Sequence, residues 1–171
     1  ELYNGTMIFD GVTIDSNTAN NVGGGIHAGS GTLTIKNATI TNNKTLGGDG
    51  GGLRTTGTAI VNINNVKLLS NVAKTEGGGM FIYSNSKVTM NGGEISNNSA
   101  SNNGGGVEVS GGTGHTATFI LNGGVIKNNK ATSANGGIFR YGTATYTRKA
   151  GTVCGNTPTN SYETHNTCPA S

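Results

Sequence analysis

Three consecutive glycines followed by one apolar residue recur along this chain at a fixed interval. The copies are Gly23-Gly24-Gly25-Ile26, Gly50-Gly51-Gly52-Leu53, Gly77-Gly78-Gly79-Met80 and Gly104-Gly105-Gly106-Val107, and their last glycines lie 27 residues apart each time. A shorter copy, Gly136-Gly137-Ile138, follows after 31. A unit of this length cannot bury a core alone, so copies must stack on one another as a solenoid. Glycine accounts for 31 of 171 residues, far above the usual ~7%. Because it is periodic, it argues for order rather than disorder.

A second marker runs in phase with the glycines. Asn17, Asn43, Asn71, Asn98, Asn129 and Asn156 recur at intervals of 26, 28, 27, 31 and 27. Three residues before each lies Ile14, Ile40, Leu68, Ile95, Ile126 or Val153. Eight before lies Phe9, Ile35, Ile63, Met90 or Leu121, with Arg148 in the last copy; ten before lies Met7, Leu33, Val61, Val88, Phe119 or Tyr146. Five before lies Val12, Ala38 or Val66, then glycine. Two after lies Ala19, Thr45, Ala73, Ala100 or Ala131, then Pro158.

A spacing of two is the period of a strand, and it puts each pair on one face. Positions −10 and −8 make one short strand, −5 and −3 a second. The residue after the glycines, with the one two further on (Ala28, Thr55, Ile82, Val109), makes a third. The register skips between −8 and −5, where Asn37, Asn65, Gly92 and Gly123 suit a corner with left-handed backbone. Three short strands per 27 residues predict an all-β parallel β-helix of about six coils, stacked at about 4.8 Å. The interval of 31 fits a four-residue insertion near Gly111-Gly112-Thr113-Gly114-His115, which an outward loop absorbs. In stacked coils the recurring Asn side chains fall into one column, where inward amides donate to and accept from one another. A residue present in every coil belongs to the scaffold, since catalytic sites are local.

The pattern "GGG-I/L/M/V" with "I/L-x-x-N-x-A" resembles the GGAI and FxxN repeats of the chlamydial polymorphic membrane proteins, over about residues 6 to 157. It is also similar to the wider set of secreted right-handed β-helix repeat proteins of bacteria and archaea. The phenylalanine of FxxN is here Ile, Leu or Val, and the third position of GGAI is Gly. The resemblance implies a right-handed parallel β-helix and a passenger, adhesin or surface-layer class.

The net charge of +3 comes from scattered Lys and Arg, which excludes a nucleic-acid surface. No apolar run approaches the ~18 residues of a membrane span. The chain opens at Glu1 rather than Met, which reads as a processed product or an excised fragment. Cys154 and Cys168 predict one disulfide closing a capping tail over residues 158–171, after a repeat domain over 1–157, and hence an oxidising, extracellular setting. Sequons stand at Asn4, Asn37, Asn43 and Asn97; Asn43 is also a ladder residue, leaving Asn4, Asn37 and Asn97 as candidate glycosylation sites.

Asp49 and Glu76 each precede a glycine triplet, with Asn103 at the equivalent place in the next coil. Stacked like charges repel unless a proton or cation lies between them, so Asp49, Glu76 and Asn103 form a candidate Ca²⁺ bridge; on an exposed turn they would instead splay into water. The first outward residues after the glycines are His27, Arg54, Phe81, Glu108 and Phe139, a candidate stripe for glycan or protein contact. A polysaccharide lyase would use a cation such as Arg54 beside its acids, but no triad or metal spacing supports an enzyme, and no cofactor other than Ca²⁺ is expected. The first coil begins without a covering element, so its strand edge is expected to meet a further coil or a second copy. The expected function is a non-enzymatic extracellular structural or adhesive β-helix, self-assembling or a fragment of a larger adhesin, with partners among its own copies, surface proteins or glycans.

Overall fold

A computed structural model describes residues 1–159 and Cys168. The described strands, numbered in chain order, are all parallel to their neighbours and fall into three sheets. The first sheet holds β1 (Thr6–Asp10), β5 (Thr32–Lys36) and β9 (Ile60–Asn64), then β2 (Thr13–Asp15), β6 (Thr39–Thr41) and β10 (Val66–Leu69). Two long strands, β13 (Lys87–Ser96) and β16 (Thr118–Lys127), join both rows, and β19 (Thr145–Arg148) and β20 (Thr152–Cys154) follow β16. The second sheet stacks β3 (Thr18–Ala19), β7 (Lys44–Thr45), β11 (Val72–Ala73), β14 (Ser99–Ala100) and β17 (Lys130–Ala131). The third stacks β4 (Ile26–Ala28), β8 (Leu53–Thr55), β12 (Met80–Tyr83), β15 (Val107–Ser110) and β18 (Ile138–Tyr141). The chain is a parallel β-solenoid of about six coils with roughly 27 residues in each.

The apolar columns stack in register. Met7 pairs with Leu33, Leu33 with Val61, Val61 with Val88, Val88 with Phe119, and Phe119 with Tyr146. Ile14, Ile40, Leu68, Ile95, Ile126 and Val153 form a second such series. From the second coil onward both columns are buried, apart from the half-buried Tyr146, which stacks on Phe119 with ring centroids 5.7 Å apart. Each coil supplies a slice of core, and stacking rather than coil size removes it from water.

Two details differ from the sequence expectation. Each of the first five coils carries an additional two-residue strand after the ladder Asn, which makes four strands per coil in the first three. Ala73, Ala100 and Ala131 are buried there, because the chain needs a short inward face between the Asn corner and the glycine turn. The first corner is also of two kinds. In the second and third coils it turns at Asn37 and Asn65, with φ of 49° and 53°. In the fourth and fifth it moves from the expected Gly92 and Gly123 to Gly93 and Gly124, with φ of 103° and 97°. There the strand runs through the corner, and a Cβ on Gly93 would lie 2.1 Å from the Val66 carbonyl oxygen. The four-residue surplus is taken up in a tight hairpin, in which Gly112 and His115 exchange backbone hydrogen bonds of 3.2 and 2.9 Å. Pairing of β15 with β18 before it and of β16 with β19 after it is undisturbed.

Candidate functional site

The glycine triplet sets the geometry around the site. Gly50 turns left-handed, with φ of 67°; a Cβ on Gly51 would lie 2.5 Å from the Gly78 carbonyl oxygen of the next coil, and one on Gly52 would lie 3.0 Å from the Asn71 amide. Each glycine is therefore required for a different reason: backbone hand, coil stacking and contact with the ladder. In the fifth copy Asn135 replaces the first glycine, with φ of 56°, since Asn tolerates that region.

The six ladder residues form one continuous column. Asn43 Nδ2 donates to Asn71 Oδ1 at 3.0 Å and to the Ile14 carbonyl at 2.9 Å, while its backbone N–H also donates to Asn71 Oδ1 at 3.0 Å. The same side-chain bonds join Asn17 to Asn43, Asn71 to Asn98, Asn98 to Asn129 and Asn129 to Asn156. Asn17 is exposed and the other five are buried. Asn43 is thus closed to a glycan, whereas Asn4, Asn37 and Asn97 are exposed. A further amide ladder runs on the outside: Asn122 donates to Asn91 at 2.7 Å and Asn91 to Asn64 at 2.8 Å. It was readable as a recurrence seven residues before the inner ladder.

The third sheet brings His27, Arg54, Phe81, Glu108 and Phe139 into one outward column, each paired with the next. Alternation along a strand would leave such a column exposed. Instead the glycine turn curls back against it: a Cβ on Gly104 would lie 2.8 Å from that of Glu108. His27, Arg54 and Phe139 are half-buried, Phe81 is 5% exposed and Glu108 only 2%. Arg54 Nη1 lies 3.2 Å from His27 Nε2, and its guanidinium carbon lies 5.9 Å from the Phe81 ring centroid. Arg54 can only donate, so His27 accepts at Nε2 and its Nδ1–H donates to Glu1 at 2.6 Å. Burial and then the Arg54 charge hold His27 below its ordinary value, while Glu1 pulls the other way.

Asp49, Glu76 and Asn103 occupy equivalent turn positions, because Gly50 N–H donates to the Glu76 carbonyl and Gly77 N–H to the Asn103 carbonyl. All three are half-buried. Thr75 Oγ1 donates to Asp49. Burial, then the charge of Asp49, raises Glu76, and hydrogen bonding from Asn103 opposes this. Glu108 is pushed up to about 9, by burial first and then by Glu76 and Asp49. The turn acids and the outward column, separate as sequence motifs, therefore meet at one place. Glu76, Asn103, Glu108, Ser110, Phe139 and Tyr141 line an open cavity of about 230 Å³. Glu108 Oε2 is buried without a hydrogen-bond partner. Among the described residues no ion pair joins Arg54 to these carboxyls, and no three of His, Cys, Asp and Glu are disposed around one metal ion.

Cys154 and Cys168 are joined in a disulfide. The rest of the expected capping tail, from residue 160, lies outside the described residues apart from Cys168. No protein-family model matches the chain, and neither a curated protein nor a solved structure matches it. The parallel β-solenoid is the class the fold defines; the likeness to polymorphic membrane protein repeats rests on the two short motifs alone.

Proposed function

We propose that this chain is a non-enzymatic structural or adhesive β-solenoid of an oxidising, extracellular space. The observation that carries the reading is the unbroken Asn column, which commits the recurrent polar side chain of every coil to holding the rod together. The outward columns, which change from coil to coil, are left to make contacts. The Cys154–Cys168 disulfide supports the compartment, and the exposed Asn4, Asn37 and Asn97 are open to glycans there.

Self-assembly through the first coil is part of this reading. Met7, Phe9, Val12 and Ile14 are only partly buried at that end, and β1, β2 and β3 each have one strand neighbour among the described residues. An edge of this kind is a template for another coil, from a second copy or from a longer form of this chain. Electron microscopy and light scattering of the purified protein, with retention on a glycan array, test the proposal. Assemblies or specific retention are expected. A monomer that binds no surface, or one that cleaves polysaccharide with or without Ca²⁺, overturns it.

A further inference from the structure

We propose that the cavity lined by Glu76, Asn103, Glu108, Ser110, Phe139 and Tyr141 binds the ammonium group of an amino sugar. The inference deepens the adhesive reading and rests on it for the choice of a glycan.

Two carboxyls, Glu76 and Glu108, line the cavity from successive coils, the charge of Asp49 reaches both, and among the described residues no ion pair neutralises them. Glu108 lines the cavity, is 2% exposed, and its Oε2 has no partner. A buried polar atom left this way carries a desolvation cost that a donor entering the cavity would remove. Its carboxyl stands near 9 for the same reason: it is buried against like charge with nothing beside it to offset that charge. An ammonium donor answers both conditions at once, releasing the Glu108 proton to solvent and pairing with the carboxylate left behind, whereas a neutral hydroxyl answers only the first.

The walls distinguish among cations. Ca²⁺ takes six to eight oxygen ligands, and two side chains of this cavity are the aromatic rings of Phe139 and Tyr141. Those rings favour an organic cation and give the apolar face of a sugar ring a surface to rest on. Asn103 and Ser110 add polar atoms for hydroxyl groups. The volume of about 230 Å³ is below the ~300–1,000 Å³ of pockets that enclose drug-sized ligands, which suits one sugar unit of a longer glycan.

The test is an NMR titration of the whole chain at pH 6.5 with glucosamine, glucose and N-acetylglucosamine, which share a ring and differ in charge. Glucosamine is expected to shift the signals of Phe139 and Tyr141, and the two neutral sugars are not. Glu108→Gln is near-isosteric and removes a buried acid, so it should fold; it is expected to weaken glucosamine binding by roughly tenfold, as for loss of one charged hydrogen bond. Glu94→Gln, on the first sheet, should change nothing. The inference is overturned if glucosamine does not bind, if glucose binds equally, or if Glu108→Gln binds as the parent does. It is also overturned if CaCl₂ displaces glucosamine, or if Nα-acetyl-lysine amide binds at least as tightly. A chain retained on a glycan array that ignores glucosamine overturns this inference and leaves the adhesive reading standing.

Discussion

Asn71 and Glu108 are both polar and buried, and they sit at opposite ends of hydrogen-bond satisfaction. Asn71 accepts from the backbone and side chain of Asn43 at 3.0 Å each, and donates to Asn98 at 3.0 Å and to the Ile40 carbonyl at 2.9 Å. Asn71→Ala orphans groups in two neighbouring coils, each costing roughly 1–3 kcal/mol when buried, so a loss of about 3 kcal/mol or more is expected in chemical denaturation. Asn37 also bonds along the stack, to Asp10 at 3.0 Å, but on the exposed side, so Asn37→Ala should cost only about 1 kcal/mol, most of it from placing Ala at a left-handed φ of 49°. Glu108 has no such support. Its carboxyl rises from an ordinary 4.5 to about 9 in the fold, so between these values the native state holds a proton that the unfolded chain has released. Stability from this group is therefore intact below the lower value and is lost as pH climbs through the window. Thermal melts from pH 5 to pH 9 should show a falling Tm, flattened in Glu108→Gln; equal slopes would refute the assignment.

At the scale of the element, a turn is read by its environment as much as by its composition. Gly51 and Gly112 are both turn glycines. A Cβ on Gly51 would strike the Gly78 carbonyl at 2.5 Å, while one on Gly112 meets nothing within 4 Å. Gly51→Ala should therefore force adjacent coils apart and lower Tm sharply, and Gly112→Ala should leave it within about a degree of the parent; paired melting curves check the contrast. Much of the element structure was legible beforehand. The strand columns, the ladder and the place of the hairpin all repeat with the coil, and a repeated signal is read many times over. The fused strands β13 and β16 were not legible, since both Asn-Val and Gly-Gly corners permit a bend. Only the packing of Gly93 against Val66 shows that the second kind lets the strand run on.

For the whole molecule, the ends differ in kind from the middle. Each interior coil is covered on both sides, so stability propagates between neighbours, while an end coil depends on what closes it. Ile126, Val153 and Asn156 are buried at the C-terminal end, where the disulfide spans 14 residues. Closing a loop of about that length stabilises by roughly 3 kcal/mol. Replacing both Cys154 and Cys168 with Ser is expected to lower the unfolding free energy from chemical denaturation by a comparable amount, and hydrogen exchange should quicken first in β19 and β20.

The period, the inward faces and the stacking columns were all written in the chain, because strand alternation and coil length are local properties repeated six times over. The burial of Glu108 and Phe81 was not, although both stand in positions that alternate outward. It depends on a glycine turn folding back over the strand that follows it, and on Glu76 and Glu108 from successive coils meeting at one cavity. No single repeat contains that encounter, so only the stacked fold could reveal it.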